Sequence, residues 1–369
     1  MSQQLSGLIV TPAGTVPGRI RFGESISAIE PLGSPAPDRF IVPGFIDVHV
    51  HGGGGGDTMD GADGVRTMAQ FHLQHGTTTM LPTTVTNPVS ELLGVLAGFS
   101  AARAAGGDLP DLPGVHLEGP FISSERLGAQ PPFALAPQPQ LISELLALGV
   151  IRTVTLAPEL PGAAAAAREF ARAGVRVSFG HSSDDGSATR ELLASLAENG
   201  AVMAFTHLFN AMGGIEARRP GLATLALLRE ESYAEVILDR LHLHDDVVRL
   251  VLASKPGRVM AITDAMRAAG LGDGPTELGG QAVTVTEGEA RLADGTLAGS
   301  VLTMDQALRN ALTIGLDWPA AVELTSTTAA RYLGLNDRDS LEPGKRADLV
   351  VLDADLNVAS VWVRGRQLV

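Results

Sequence analysis

His49 and His51 stand two residues apart in "FIDVHVHGGGGG" (45–56). Side chains at i and i+2 of a strand face the same side, so both imidazoles can bind one ion. The rival reading is a pair of surface histidines near a strand end. "HLEGPF" (116–121) supplies Glu118, a carboxylate able to ligate or bridge metals, while "GHS" (180–182) and "THLFNAM" (206–212) supply His181 and His207. Each of these alone is equally well explained by a structural role. Together they make three nitrogen and oxygen ligands with an open position, the arrangement of a hydrolytic metal site. "ITDAM" (262–266) adds Asp264, a carboxylate that can take a proton from water beside a metal and hand it to a leaving amine; its rival role is the N-cap of a following helix.

Other chemistries lack their residues. The chain has no cysteine, which excludes disulfides and thiolate ligands. "GHSSD" does not match G-x-S-x-G, and no H-E-x-x-H occurs. The two lysines, Lys255 and Lys345, lie on no strand near the ligands, so neither a Schiff base nor a carbamylated-lysine bridge is available and Glu118 is left as the candidate bridge. The glycine run fails as a dinucleotide fingerprint because Asp57 stands where glycine or alanine is needed, and no Gly-Lys-Ser/Thr follows to make a P-loop. It reads instead as a first βα loop whose missing Cβ atoms let a ligand approach the backbone.

The elements that must position these groups are eight short apolar runs, at 45–51, 77–84, 114–120, 151–159, 175–182, 201–210, 234–242 and 259–266. Helix-like segments alternate with them, such as "GVRTMAQFHLQHG", "AAAAAREFARAG", "SATRELLASLAENG" and "DDVVRLVLASKPG", several closed by a glycine. This pattern predicts an α/β chain folded as a (β/α)8 TIM-like barrel. His49, His51, Glu118, Glu159, His181, His207, His242 and Asp264 all fall at or near the C-terminal ends of these strands, the face on which barrels build active sites. Residues 1–42 and 336–369 alternate with Pro and Gly turns and predict a small β-sandwich domain formed by both termini, leaving 43–335 to the barrel. A further β-like stretch at 281–300 precedes the helical segments "MDQALRNALTIG" and "PAAVELTSTTAARYLG".

With 369 residues there is ample core, and a net charge of −14 argues against a nucleic-acid partner. No apolar run is long enough to span a membrane. The opening "MSQQLSGLIVTPAGTVPG" has neither the basic leader nor the apolar core of a signal peptide, so a cytoplasmic location is expected.

These residues resemble a known family. "PGFIDVHVHGGGGGDTMDG", "GVHLEGPFIS", "GHS", "THLFNAM", "RRPG", "DRLH", "ITDAM", "LAGS" and "PGKRADLVVLD" occur in the order found in the N-acetylglucosamine-6-phosphate deacetylases of the metal-dependent amidohydrolase superfamily. "HLEGPF" and "THLFNAM" are specific to these deacetylases; the paired histidines and terminal segment mark only the superfamily. The resemblance implies a homodimer that binds a small sugar phosphate and removes its acetyl group, in amino-sugar catabolism or cell-wall recycling, with another acetamido sugar phosphate such as the galactosamine epimer as the alternative substrate. It implies a divalent ion, zinc or iron, at one or two positions per subunit. Glu118, His181 and His207 resemble the primary ligands and Asp264 the proton-transfer residue. Asn210, Ala211, Asp239, His242 and Arg218 resemble sugar and phosphate contacts, Arg218 reaching into the neighbouring subunit. Leu297, Ala298 and Gly299 resemble the segment closing over the sugar, and Ala129 and Gln130 further substrate contacts. Two positions depart from the family. Gln130 stands where many members have a histidine that helps polarise the amide carbonyl, and Arg240 replaces the glycine of "DGLH", its bulk narrowing the site or shifting substrate preference.

Overall fold

A computed structural model describes residues 3–32, 38–104 and 106–369. All eight expected strands form: β1 (Phe45–Val50), β2 (Thr77–Pro82), β3 (Val115–Glu118), β4 (Ile151–Leu156), β5 (Arg176–Phe179), β6 (Met203–Phe205), β7 (Tyr233–Ile237) and β8 (Val259–Ile262). Nearly every residue in them is buried, as parallel strands covered on both faces require. β3 to β8 make one six-stranded parallel sheet in sequence order, and β1 pairs in parallel with β2. Backbone bonds span both gaps between these sheets. The amide of Thr84 donates to His116 (3.0 Å) and that of Asp264 to His49 (2.9 Å). The architecture is an α/β TIM-like fold.

The amphipathic segments form helices close to their expected limits, among them α1 (Ala62–Gln74), α2 (Ala163–Arg172), α3 (Ser187–Glu198) and α4 (Asp245–Ser254). Gly76 follows α1 at φ 84°, the left-handed conformation that lets a glycine end a helix. The segment 319–334 is helical as expected but not uniformly α: α-turns at Trp318–Val322 and Thr328–Leu333 flank a π-turn at Glu323–Thr327. The buried Thr325 hydroxyl donating back to Ala321 O is a local competitor to regular helix bonding there. The β-like stretch after β8 is a three-stranded antiparallel sheet that starts earlier than expected, at Gly274–Leu278.

Both ends of the chain meet in a seven-stranded sheet that pairs Phe40–Pro43 in parallel with Gln3–Thr11 and antiparallel with Leu349–Leu352. Its own apolar core includes Ile9, Ile20, Phe22, Ile41 and Trp362, the Phe22 and Trp362 rings meeting edge to face at 5.2 Å. Residues 1–2 and 33–37 of the expected terminal domain lie outside the described residues. A charged knot fastens the terminal sheet to the strands. Asp111, whose amide donates to Thr78 O of β2, accepts hydrogen bonds from Arg338 and from Arg346 Nη1 (2.8 Å), and Arg346 also binds Asp348.

Candidate active site

At the C-terminal ends of the strands, six polar side chains converge. His49 and His51 come from β1 and the residue after it, Glu118 ends β3, and His181, His207 and Asp264 follow β5, β6 and β8 by two residues each. All are nearly inaccessible to solvent. The Glu118 carboxylate lies at the centre. Its Oε1 is 3.2 Å from His181 Nε2 and 3.1 Å from His207 Nε2, while its Oε2 is 3.3 Å from His51 Nε2. Asp264 Oδ1 is 3.1 Å from His51 Nε2 and 3.5 Å from His49 Nε2.

Hydrogen bonds at the far ring nitrogens fix what these imidazoles present. His181 Nδ1 donates to Arg126 O (2.8 Å) and His51 Nδ1 to Thr83 O (3.2 Å); a carbonyl can only accept. In the neutral ring each Nε2 therefore offers a lone pair inward, toward carboxylate oxygens and other imidazoles. His181 Nε2 and His207 Nε2 are 3.0 Å apart, and His49 Nε2 and His51 Nε2 are 3.3 Å apart. Lone pairs crowded in this way repel unless positive charge lies among them. The electrostatics agree. Burial alone would push the Glu118 carboxyl up, yet the charges of His49 and His181 hold it well below the usual carboxylate range. Burial would lower His51, but hydrogen bonds with Asp264 and Glu118 raise it to about 9. The cluster favours cationic charge, and its all-nitrogen-and-oxygen donor set suits a divalent transition ion. Among the sets of donor atoms compact enough to hold one are Glu118, His181 and His207, and His49, His51 and Asp264.

The backbone is strained where these groups are presented. His181 (φ 45°), His207 (φ 28°) and Asp264 (φ 49°) occupy the left-handed region that residues with a Cβ avoid, at a cost of about 1–3 kcal/mol each. No helix begins at Asp264, so its rival role as an N-cap falls away.

The cluster floors a cavity of about 370 Å³, which Ala129, Gln130, Asn210, Ala211, His242, Leu297 and Gly299 also line. His49 lies beneath it and Ala298 is buried behind the lining. Asp239 supports His242 from outside the cavity, its Oδ2 accepting from His242 Nδ1 at 2.7 Å. Gln130 has a fixed orientation: the Thr86 amide donates to its Oε1 (2.7 Å), which turns Nε2 onto Glu118 Oε2 (2.5 Å).

Arg218 is exposed and does not line the cavity of its own subunit. Some expectations need correction. Arg240 turns away to a two-pronged ion pair with Asp245 (3.0 and 2.9 Å), so its bulk does not narrow this cavity. Glu159 accepts from Ser182 Oγ and the Ser183 amide, both at 2.7 Å, and braces the loop after His181. The glycine run does not open the backbone to a ligand. Gly52 and Gly53 fold back on Gly56 and Asp57, and a Cβ on Gly52 would come within 2.6 Å of the Arg267 amide nitrogen. Chain packing leaves no room for side chains at Gly52, Gly53 and Gly56.

Sequence reasoning missed Arg291 and Leu278, which reach the cavity from the sheet after β8 and carry no local signal. It also missed two carboxylates beneath the ligands. Asp47 accepts from the His49 amide (3.1 Å) and Thr263 Oγ1 (2.5 Å), and burial pushes it up to about 7. Glu235 Oε2 lies 3.0 Å from His49 Nδ1. A lone acid inside an otherwise apolar strand, "FIDVHV" or "YAEVI", was the available signal.

Known proteins are similar to this chain in sequence and fold. The model of the amidohydrolase family, whose members depend on metal, matches residues 40–165 and 247–368. An N-acetylgalactosamine-6-phosphate deacetylase of Escherichia coli O157:H7 is 36% identical over 352 residues, 92% of each chain. An N-acetylglucosamine-6-phosphate deacetylase of Bacillus subtilis (strain 168) is 38% identical over 338 residues, covering 89% of this chain and 84% of the relative. Among solved structures, a mutant N-acetyl-D-glucosamine-6-phosphate deacetylase from Mycobacterium smegmatis in complex with N-acetyl-D-glucosamine-6-phosphate superposes with a TM-score of 0.91 at 35% identity, over 100% of this chain and 99% of that one. The chain belongs to the amidohydrolase family, and within it to the branch of the N-acetylglucosamine-6-phosphate deacetylases.

Proposed function

We propose that this chain hydrolyses the acetamide of N-acetyl-D-glucosamine 6-phosphate to D-glucosamine 6-phosphate and acetate, in amino-sugar catabolism or cell-wall recycling. The observation that carries the reading is the meeting of His181 Nε2 and His207 Nε2 at Glu118 Oε1, with Asp264 beside them on the floor of one cavity. Glu118, His181 and His207 would hold one divalent ion, zinc or iron; His49, His51 and Asp264 would hold a second, with Glu118 between the two. When bound, such an ion lowers the pKa of water and polarises a carbonyl.

The chain's own residues do the rest. Burial raises the Asp264 carboxyl, but the charge of His49 and the bond from His51 hold it down at about 2, so it is an ionised acceptor at neutral pH. It takes the proton of the attacking water as the new C–O bond forms and delivers it to the amide nitrogen as the C–N bond breaks, releasing amine and acetate. Gln130 steadies Glu118 through its side-chain amide. Ala129, Asn210, Ala211, Leu297 and Gly299 would contact the sugar, with Ala298 backing that segment. His242, buttressed by Asp239, would face the phosphate.

We further infer that β1 to β8 close into one (β/α)8 barrel of residues 43–335; the bonds across both gaps in the sheets support this. The terminal sheet, 1–42 with 336–369, would wrap its own core as a sandwich. The exposed position of Arg218 supports a homodimer in which it serves the partner's site. No helix among the described residues is long and apolar enough to cross a membrane. A charged sugar phosphate does not pass a bilayer unaided, which favours a cytoplasmic place. The galactosamine 6-phosphate epimer is the second reading, favoured by the Escherichia coli relative. The test is acetate release from a panel of acetylated sugar phosphates by metal-stripped and reconstituted enzyme. Full turnover without metal, or none on any acetamido sugar phosphate after reconstitution, would refute the proposal.

A further inference from the structure

We propose that Glu235, on β7, is a positioning residue that ties the two cation positions together from below and sets the affinity of the position built on His49 and His51. This rests on the metal-dependent reading above. Glu235 is fully buried and is the charged residue of an otherwise apolar strand. Its Oε2 makes two contacts at once. It accepts the Nδ1 hydrogen of His49 at 3.0 Å and the backbone amide hydrogen of His207 at 3.2 Å. One oxygen thus aims the ring of a donor in one cluster and anchors the strained backbone of a donor in the other.

The four imidazoles are not held alike. His51 and His181 give their Nδ1 hydrogens to the neutral carbonyls of Thr83 and Arg126, and His207 Nδ1 has no partner among the described residues. His49 is the one backed by a carboxylate. A carboxylate behind a ligating histidine fixes its tautomer and ring angle and raises its basicity, and losing such a partner typically costs 10–100-fold in metal affinity. Glu235 Oε1 has no hydrogen-bond partner among the described residues, so the group is not fully satisfied by local bonding.

His49, His116 and Glu235 also lie close enough together to suggest a third cation position. The imidazole nitrogens there are already committed. His116 Nδ1 donates to Val48 O at 3.1 Å, His116 Nε2 meets Thr155 Oγ1 at 2.7 Å, and His49 Nδ1 faces Glu235. The carboxylate therefore acts through His49.

The test compares zinc binding by stripped wild type, Glu235→Gln and Glu235→Ala, with ions counted per chain by mass spectrometry, affinities read by chelator competition, and metal-free thermal midpoints as a folding control. In Glu235→Ala the position built on His49 and His51 should lose about 10–100-fold in affinity while the position of Glu118, His181 and His207 is retained. Glu235→Gln, whose amide oxygen still accepts both hydrogens, should fall between. Two ions bound at wild-type affinity in both variants would overturn the proposal, as would equal loss at both positions tracking a fall in thermal midpoint. A wild type that takes up fewer than two ions would instead overturn the two-position reading on which the proposal stands.

Discussion

At Glu118, His181 and His207 the geometry leaves no spare ligand: each supplies one atom to the same small space, and His181 and His207 do so from strained backbone. Glu118→Ala, His181→Ala and His207→Ala should each lose metal and activity together, checked by metal analysis beside acetate release; an active variant free of metal would break that link. Asp264 separates proton transfer from binding. Asp264→Asn should retain the ion held by Glu118, His181 and His207 and lower kcat by about 10²–10⁴-fold, the usual range for a positioned proton carrier. A comparable loss in KM with kcat unchanged would make Asp264 a binding group instead. The histidines and Glu118 were legible because few other residue types bind transition ions. Gln130 was legible only as a departure: that its amide faces Glu118 follows from the Thr86 amide, 44 residues away in sequence.

The element that delivers His49 and His51 depends on the turn after it. His72 on α1 donates its Nε2 hydrogen to Gly52 O at 2.9 Å from full burial, and that burial lowers its pKa to about 4. The native state thus binds fewer protons than the unfolded chain between about pH 4 and the ordinary histidine value near 6.5. Its contribution is intact above that window and is lost as the pH falls through it, by about 3 kcal/mol in all. Urea midpoints should drop between pH 7 and 4.5 more steeply in wild type than in His72→Gln. Parallel slopes would contradict the linkage. The strands and helices were legible from apolar period and closing glycines, whereas the role of the glycine run was not: which atoms would meet a Cβ depends on Arg267, Phe71 and His72 being folded against it.

Across the whole molecule, Asp111 is the junction between the β2–β3 connection and the C-terminal segment. Arg338 and Arg346 are buried against it, and burial, which would raise its carboxyl, is outweighed by their hydrogen bonds. Asp111→Asn should cost about 1.5–3 kcal/mol by removing the charge shared by Arg338 and Arg346, which keep only Asp337 and Asp348, seen as a lower urea midpoint. An unchanged midpoint would mean that the terminal sheet is held by apolar contacts alone. Arg218 makes its prediction at the level of the assembly. Arg218→Ala should raise KM for the phosphorylated sugar by about 10²-fold, with a smaller effect on kcat. Mixed dimers of Arg218→Ala and Asp264→Asn chains should regain activity if the arginine acts across the interface. Proven heterodimers without recovery would assign it to its own subunit.

Residue chemistry and period were enough to mark the eight strands, the five candidate metal ligands with Asp264 beside them, and the family, because metal-binding side chains are few and parallel buried strands must be apolar. Only the folded chain could decide which way each group faces. Arg240 pairs with Asp245 rather than the cavity, Arg291 arrives from a sheet outside the strands, and Glu235 reaches His49 from a strand 186 residues away in sequence. Such contacts arise when strands far apart in sequence pack side by side, a relation that local spacing does not encode.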